Sequence, residues 1–199
     1  MHQAPLMGCP TEYCRARLQP CIQEMYVKKI PIHYKKRTRL KDFDYKGCYR
    51  YFITLCTSDK KAIFVDDSLV NWLIDALREK SLSSGFKIWA YWFMPDHVHL
   101  LAEGENLDSD MRRFISSFKQ YTAFHYKKKY TRELWQINFY DHVLRKEEDT
   151  SSITSYIFNN PVRKRIVDDC REYKFLGSFE FDPKQPYRVA LRKGEEHKM

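Results

Sequence analysis

Phe93-Met94-Pro95-Asp96-His97-Val98-His99-Leu100-Leu101 places a proline–aspartate turn between two apolar runs. Upstream, Phe86 to Trp92 is rich in aromatic residues and reads as a strand. Downstream, His97 to Ala102 reads as a second strand, antiparallel to the first, with Met94-Pro95-Asp96 interrupting the two. Side chains alternate along a strand, so His97 and His99 share one face while Val98 points into the other layer.

The same reading extends outward. Tyr49 to Leu55 combines aromatic and β-branched residues and predicts a strand. Asp66-Asp67-Ser68 offers a cap for a helix whose apolar face carries Leu69, Leu73, Ile74 and Leu77, and Ser83-Ser84-Gly85 breaks that helix. After Glu103-Gly104-Glu105-Asn106, a long helix is predicted from Ser109 to Tyr126, with Met111, Phe114, Ile115, Phe118 and Thr122 or Phe124 inward. Phe139 to Arg145 predicts another strand. Glu147-Glu148-Asp149 then opens a helix carrying Ile153, Tyr156 and Ile157, which Pro161 ends or bends. The alternation predicts an α+β domain, with a small antiparallel sheet and its helices packed on one face.

The 199 residues suit one ordinary domain, and 43% hydrophobic content supports a core, excluding general disorder. Lys and Arg exceed Asp and Glu by 35 to 26, a net charge of +9, which permits nucleic-acid binding without establishing it. Residues 1–46 are expected to form a basic N-terminal extension, 47–178 the compact domain and 179–199 a polar tail with little sign of core. Seven basic and no acidic residues lie between Lys28 and Lys41, suiting either a phosphate-contacting arm or a solvated leader. The six cysteines lack zinc-knuckle spacing. With no evident secretory signal and no long apolar run, a reduced, cytoplasmic protein is expected.

The His97/His99 pair has the spacing to hold one divalent ion, but ordinary buried or surface histidines show it too. Asp96 suits orientation of an imidazole and turn capping equally well. Tyr156 and Asn160 would share a helix face; an asparagine before proline is also an ordinary helix stop. Arg112, Arg113, Lys119, Lys127, Lys128 and Lys129 suit either phosphate contacts or a solvated helix and loop. Trp135 reads chiefly as scaffold, although an exposed indole there would stack on an unpaired base.

Three blocks in order resemble the single-tyrosine HUH transposases, in the branch associated with repetitive extragenic palindromes (REP). They are Phe93 to Leu101 with its histidine–hydrophobic–histidine motif, Leu134 to Arg145, and Tyr156-Ile157-Phe158-Asn159-Asn160-Pro161-Val162-Arg163. Ile137-Asn138-Phe139 departs from the family's basic residue and glycine before the aromatic, and the basic leader is longer than in compact members. The resemblance implies a ferredoxin-like domain acting on single-stranded or hairpin DNA, with Mg²⁺ or Mn²⁺ at His97 and His99. It further implies Asn160 as a third ligand and Tyr156 as a nucleophile that forms a 5′-phosphotyrosine link. Both monomers and homodimers occur in the family. The competing readings are a catalytically inactive or domesticated DNA-binding protein of the same fold, and a metal-dependent enzyme of another substrate class.

Overall fold

The computed structural model describes residues 43–144, 162, 166–169 and 172–182. Its elements are β1 (Arg50–Cys56), α1 (Asp67–Ser83), β2 (Phe86–Met94), β3 (His97–Gly104), α2 (Met111–Tyr130), β4 (Tyr140–Val143) and β5 (Leu176–Gly177). The sheet order is β4-β1-β3-β2-β5, and each neighbouring pair is antiparallel. The first six elements run β-α-β-β-α-β with strands ordered 4-1-3-2, a ferredoxin-like α+β arrangement.

Local chemistry explains where the elements begin and end. The Asp66 carboxylate caps α1 by accepting from the Ser68 and Leu69 amides. Gly85, at φ +67°, makes the left-handed turn that releases the chain into β2. Asp110 caps α2 by accepting from the Arg113 amide, and Thr131 ends it in the left-handed region. Leu69, Val70, Leu73, Ala76 and Leu77 of α1 are buried, whereas Ile74 is half-buried. In α2 the buried face is Met111, Phe114, Ile115, Phe118, Thr122 and Tyr126; Phe124 points to solvent, so Thr122 takes the inward place.

Ring contacts place both layers. Phe114 stacks on Phe86, and Phe118 packs against Trp135, which meets Phe64; Phe64 in turn meets Phe93. Phe86 and Phe93 lie opposite Gly104 and Val98 in the register, so α2 covers the face bearing Val98, Leu100 and Ala102. His97 and His99 therefore lie on the face away from α2. That separation is the main spatial fact about the site.

Three features depart from the sequence expectations. Tyr45, just before the expected boundary, is buried, and Arg112 lies over its ring while donating to the Asp44 carbonyl. At the other end, Phe179 is not free tail: its ring meets Tyr91 and lies beneath Arg78, and its amide donates to the Ile88 carbonyl. The two-residue β5 and the buried Tyr173 and Phe175 before it were too short a signal for periodicity. Finally, Cys48 is disulfide-bonded, which differs from the reduced chain expected in the absence of a secretory signal, while Cys56 is a free thiol. Spacing tests for zinc motifs and says nothing about pairing across a fold.

The strand end of β3 is closed by a backbone approach. A Cβ on Gly104 would lie 2.2 Å from the Gly47 carbonyl oxygen and 2.9 Å from Ser109 Cβ. Gly104→Ala is expected to lower unfolding free energy by about 1–3 kcal/mol in a denaturant titration; an unchanged midpoint would refute this tight contact.

Candidate active site

The register of the sheet builds the site. β1 pairs with β3 so that Thr54 lies opposite His99 and Cys56 opposite His97; on the other side Trp92 faces His99 and Met94 faces His97. Tyr140 of β4 lies opposite Thr54, completing a row Tyr140–Thr54–His99–Trp92 across four strands. The neighbouring row carries His142, Phe52 and Leu101 on the same face. The two histidines thus rise from a central strand held on both sides.

Their rings converge. The Nε2 atoms of His97 and His99 are 3.2 Å apart, with ring centroids 4.7 Å apart. Each Nδ1 is held from behind: that of His97 lies 2.6 Å from Asp96 Oδ1, and that of His99 lies 2.8 Å from Thr54 Oγ1. Phe52 and Trp92 stack on either side of His99, with centroids at 5.2 and 5.5 Å. His99 is only 4% exposed, whereas the His97 side chain is 21% exposed.

The donor set fits a divalent cation. Metal–nitrogen bonds of about 2.0–2.1 Å drawn from two nitrogens 3.2 Å apart meet at one point. Both rings are braced through the nitrogen that does not face that point, as metal-binding histidines usually are. Among the described residues no group of three or more His, Cys, Asp and Glu is arranged to hold a metal, so the pair supplies two ligands only. Tyr156 and Asn160, the expected nucleophile and third ligand, lie outside the described residues. Thr54 was not singled out in the sequence; it shares a face with His99 only once the β1–β3 register is known.

The remaining candidates divide by what their side chains already do. Trp135 is only 7% exposed, packs on Phe64 and Phe118, and donates its indole N–H to Thr122 Oγ1. It is core scaffold and offers no open ring to a base, which corrects its place among the DNA-contacting candidates. The Lys119 ammonium donates to the Gln136 and Ile137 carbonyls, pinning the loop where the family's usual pattern is absent. Arg112 anchors the Asp44 carbonyl, and Lys127 pairs with Glu133. Lys128 and Lys129 are exposed, with the Lys129 ammonium over the Tyr130 ring. Arg113 lines a shallow groove of about 450 Å³ with Lys80, Ser116, Ser117, Gln120 and Tyr121.

Cys56 stands across from His97 at the same sheet end. Burial raises its thiol pKa, and the Asp96 charge raises it further, against the lowering effect of Lys60 and Lys119. Less thiolate at neutral pH means that Cys56 is expected to react with iodoacetamide several-fold more slowly than a small free thiol, as followed by intact mass. Trp135→Ala is expected to cost about 3–5 kcal/mol of stability in denaturant unfolding; a folded, fully stable variant with selectively weakened DNA binding would return Trp135 to the interface.

The sequence profile described as "Transposase IS200 like" matches residues 46–160. A Haemophilus influenzae protein provisionally named a REP-associated tyrosine transposase is 28% identical over 155 residues, covering 72% of this chain and 86% of that protein. A second Haemophilus influenzae protein, uncharacterized, is 25% identical over 165 residues, covering 66% of this chain and 90% of its own length. The solved structure of a REP-associated tyrosine transposase bound to a REP hairpin shares the fold, with a TM-score of 0.59 and 20% identity over 70% of this chain and 82% of that one. Among the described residues, no helix is long and apolar enough to cross a membrane. With its histidine pair raised on the central strand of a ferredoxin-like sheet and the family profile spanning that strand, the chain belongs to the IS200-like transposases, as a single-tyrosine HUH member related to the REP-associated tyrosine transposases.

Proposed function

We propose that this protein nicks and joins single-stranded DNA at hairpin or palindromic sequences, through a covalent 5′-phosphotyrosine intermediate and with Mg²⁺ or Mn²⁺. The observation that carries the proposal is the convergence of two braced imidazole nitrogens 3.2 Å apart on the face opposite α2. His97 and His99 would hold the ion, with Asn160 as the third protein ligand. Once bound, the ion supplies Lewis-acid neutralisation of charge on the scissile phosphate.

The chain's own groups account for the rest. The Tyr156 phenolic oxygen attacks phosphorus and gives up its proton; the bond from phosphorus to the 3′ oxygen breaks, and that oxygen leaves as a free 3′-hydroxyl after taking up a proton. Attack by another strand's 3′-hydroxyl on the phosphotyrosine restores a phosphodiester and frees the tyrosine. One phosphoester bond replaces another at each step, so no ATP is needed. Asp96 and Thr54 keep the imidazoles aimed. Exposed Arg113, Lys128 and Lys129 suit contacts to the DNA backbone away from the scissile phosphate, because α2 lies across the sheet from the histidine pair. The name of the Haemophilus relative and the REP hairpin in the fold-sharing structure support a folded-back DNA substrate. A cytoplasmic setting would suit a DNA substrate.

End-labelled single-stranded DNA from the flanks of the coding region, incubated with Mn²⁺ or EDTA, tests the proposal on a denaturing protein gel. A metal-dependent covalent adduct is expected, lost in Tyr156→Phe and reduced at least about 100-fold in His97→Ala. Cleavage that survives Tyr156→Phe would replace this reading with another metal-dependent chemistry. Tight, salt-sensitive binding with no adduct would replace it with an inactive DNA-binding protein.

A further inference from the structure

The four groups Asp96, His97, His99 and Thr54 form one line of contacts: Oδ1 to Nδ1 at 2.6 Å, Nε2 to Nε2 at 3.2 Å, and Nδ1 to Oγ1 at 2.8 Å. Each contact needs one hydrogen, and the chemistry of the ends restricts where it sits. An ionised carboxylate only accepts, so His97 carries its proton on Nδ1 and presents a lone pair at Nε2. Two facing lone pairs would repel, so with both rings neutral the hydrogen between them belongs to His99 Nε2. His99 Nδ1 is then an acceptor, and the Thr54 hydroxyl is its donor.

An ion held by both rings requires the opposite state of His99. Its Nε2 must offer a lone pair, which moves the ring proton to Nδ1 and makes Thr54 Oγ1 the acceptor. His97 needs no such change. We propose that Thr54 is a positioning residue whose hydroxyl reverses its hydrogen bond to His99, donating in the metal-free protein and accepting in the loaded one. The conversion takes one proton from Nε2 to solvent and returns one to Nδ1, so the charge of the pair is unchanged. A hydroxyl both donates and accepts, whereas a carboxylate at this place would fix one tautomer and a methyl group would support neither. Thr54 is 5% exposed, so water is poorly placed to substitute for it.

This inference rests on the metal-pair reading, and the test separates the two. Long-range ¹H–¹⁵N correlation spectra of the full chain at about pH 8, where an ordinary imidazole is neutral, report the tautomer of each ring. The metal-free protein is expected to show His97 protonated at Nδ1 and His99 at Nε2; saturating Mg²⁺ should move only the His99 proton to Nδ1. Mn²⁺ affinity, read by electron paramagnetic resonance of the free ion, should fall about 10–100-fold in Thr54→Val and recover in Thr54→Ser. Bound Mg²⁺ with an unchanged His99 tautomer would overturn the switch and leave the metal reading intact, as would a Thr54→Val protein that binds Mn²⁺ like the wild type. Failure of the wild type to bind either ion would sink the metal reading and the inference with it.

Discussion

Everything at the histidine pair depends on the antiparallel pairing of β1 with β3. That ladder sets Thr54 against His99 and Cys56 against His97. A slip of one residue would turn Thr54 to the helix-covered face and bring Ile53 or Leu55 to the rings. Both faces of the strands resist such a slip. Val98, Leu100 and Ala102 are buried on the face that α2 covers, while His99 and Leu101 are buried on the other. The apolar residues between and beyond the histidines therefore fix the register that the polar contacts require.

The sheet also divides labour between its faces. The α2 side spends several of its polar groups on the fold. Thr122 takes the Trp135 indole hydrogen and donates to the Phe118 carbonyl, and Lys119 is occupied with two loop carbonyls. A run of positive charge in the sequence thus resolves into anchors, such as Lys119 and Arg112, and exposed cations, such as Arg113 and Lys128. The opposite face holds the convergent nitrogens, with aromatic rings on both flanks of His99 limiting water access.

Much of this was legible in the sequence because it depends on local chemistry. The Pro95-Asp96 turn, the Asp66 cap and the alternation around Val98 gave the hairpin, the first helix and the shared face of the histidines. Thr54 was not legible, since its role comes from a partner 45 residues away and from a register that one strand alone does not reveal. Trp135 reads chiefly as scaffold in the sequence, and the partner that decides it, the buried Thr122 hydroxyl, lies 13 residues away on α2. Phe179 looked like tail because its neighbours are polar and its contacts, Tyr91 and Arg78, are remote in the chain. Tyr156 and Asn160 rest on the sequence motif, as they lie outside the described residues.

The histidine rings stand two residues apart on a strand with a hydrogen-bonded neighbour on each side, and this makes the site mechanically stiff. Its gap is set by the pleat of the sheet, and no loop has to close to bring the nitrogens together. Such a jaw has a fixed width. If the pair holds an ion as proposed, it would present the same two-point grip to any ion, and discrimination between ions would fall to the groups that complete the coordination. The sheet would then act as a ruler for whatever the pair holds.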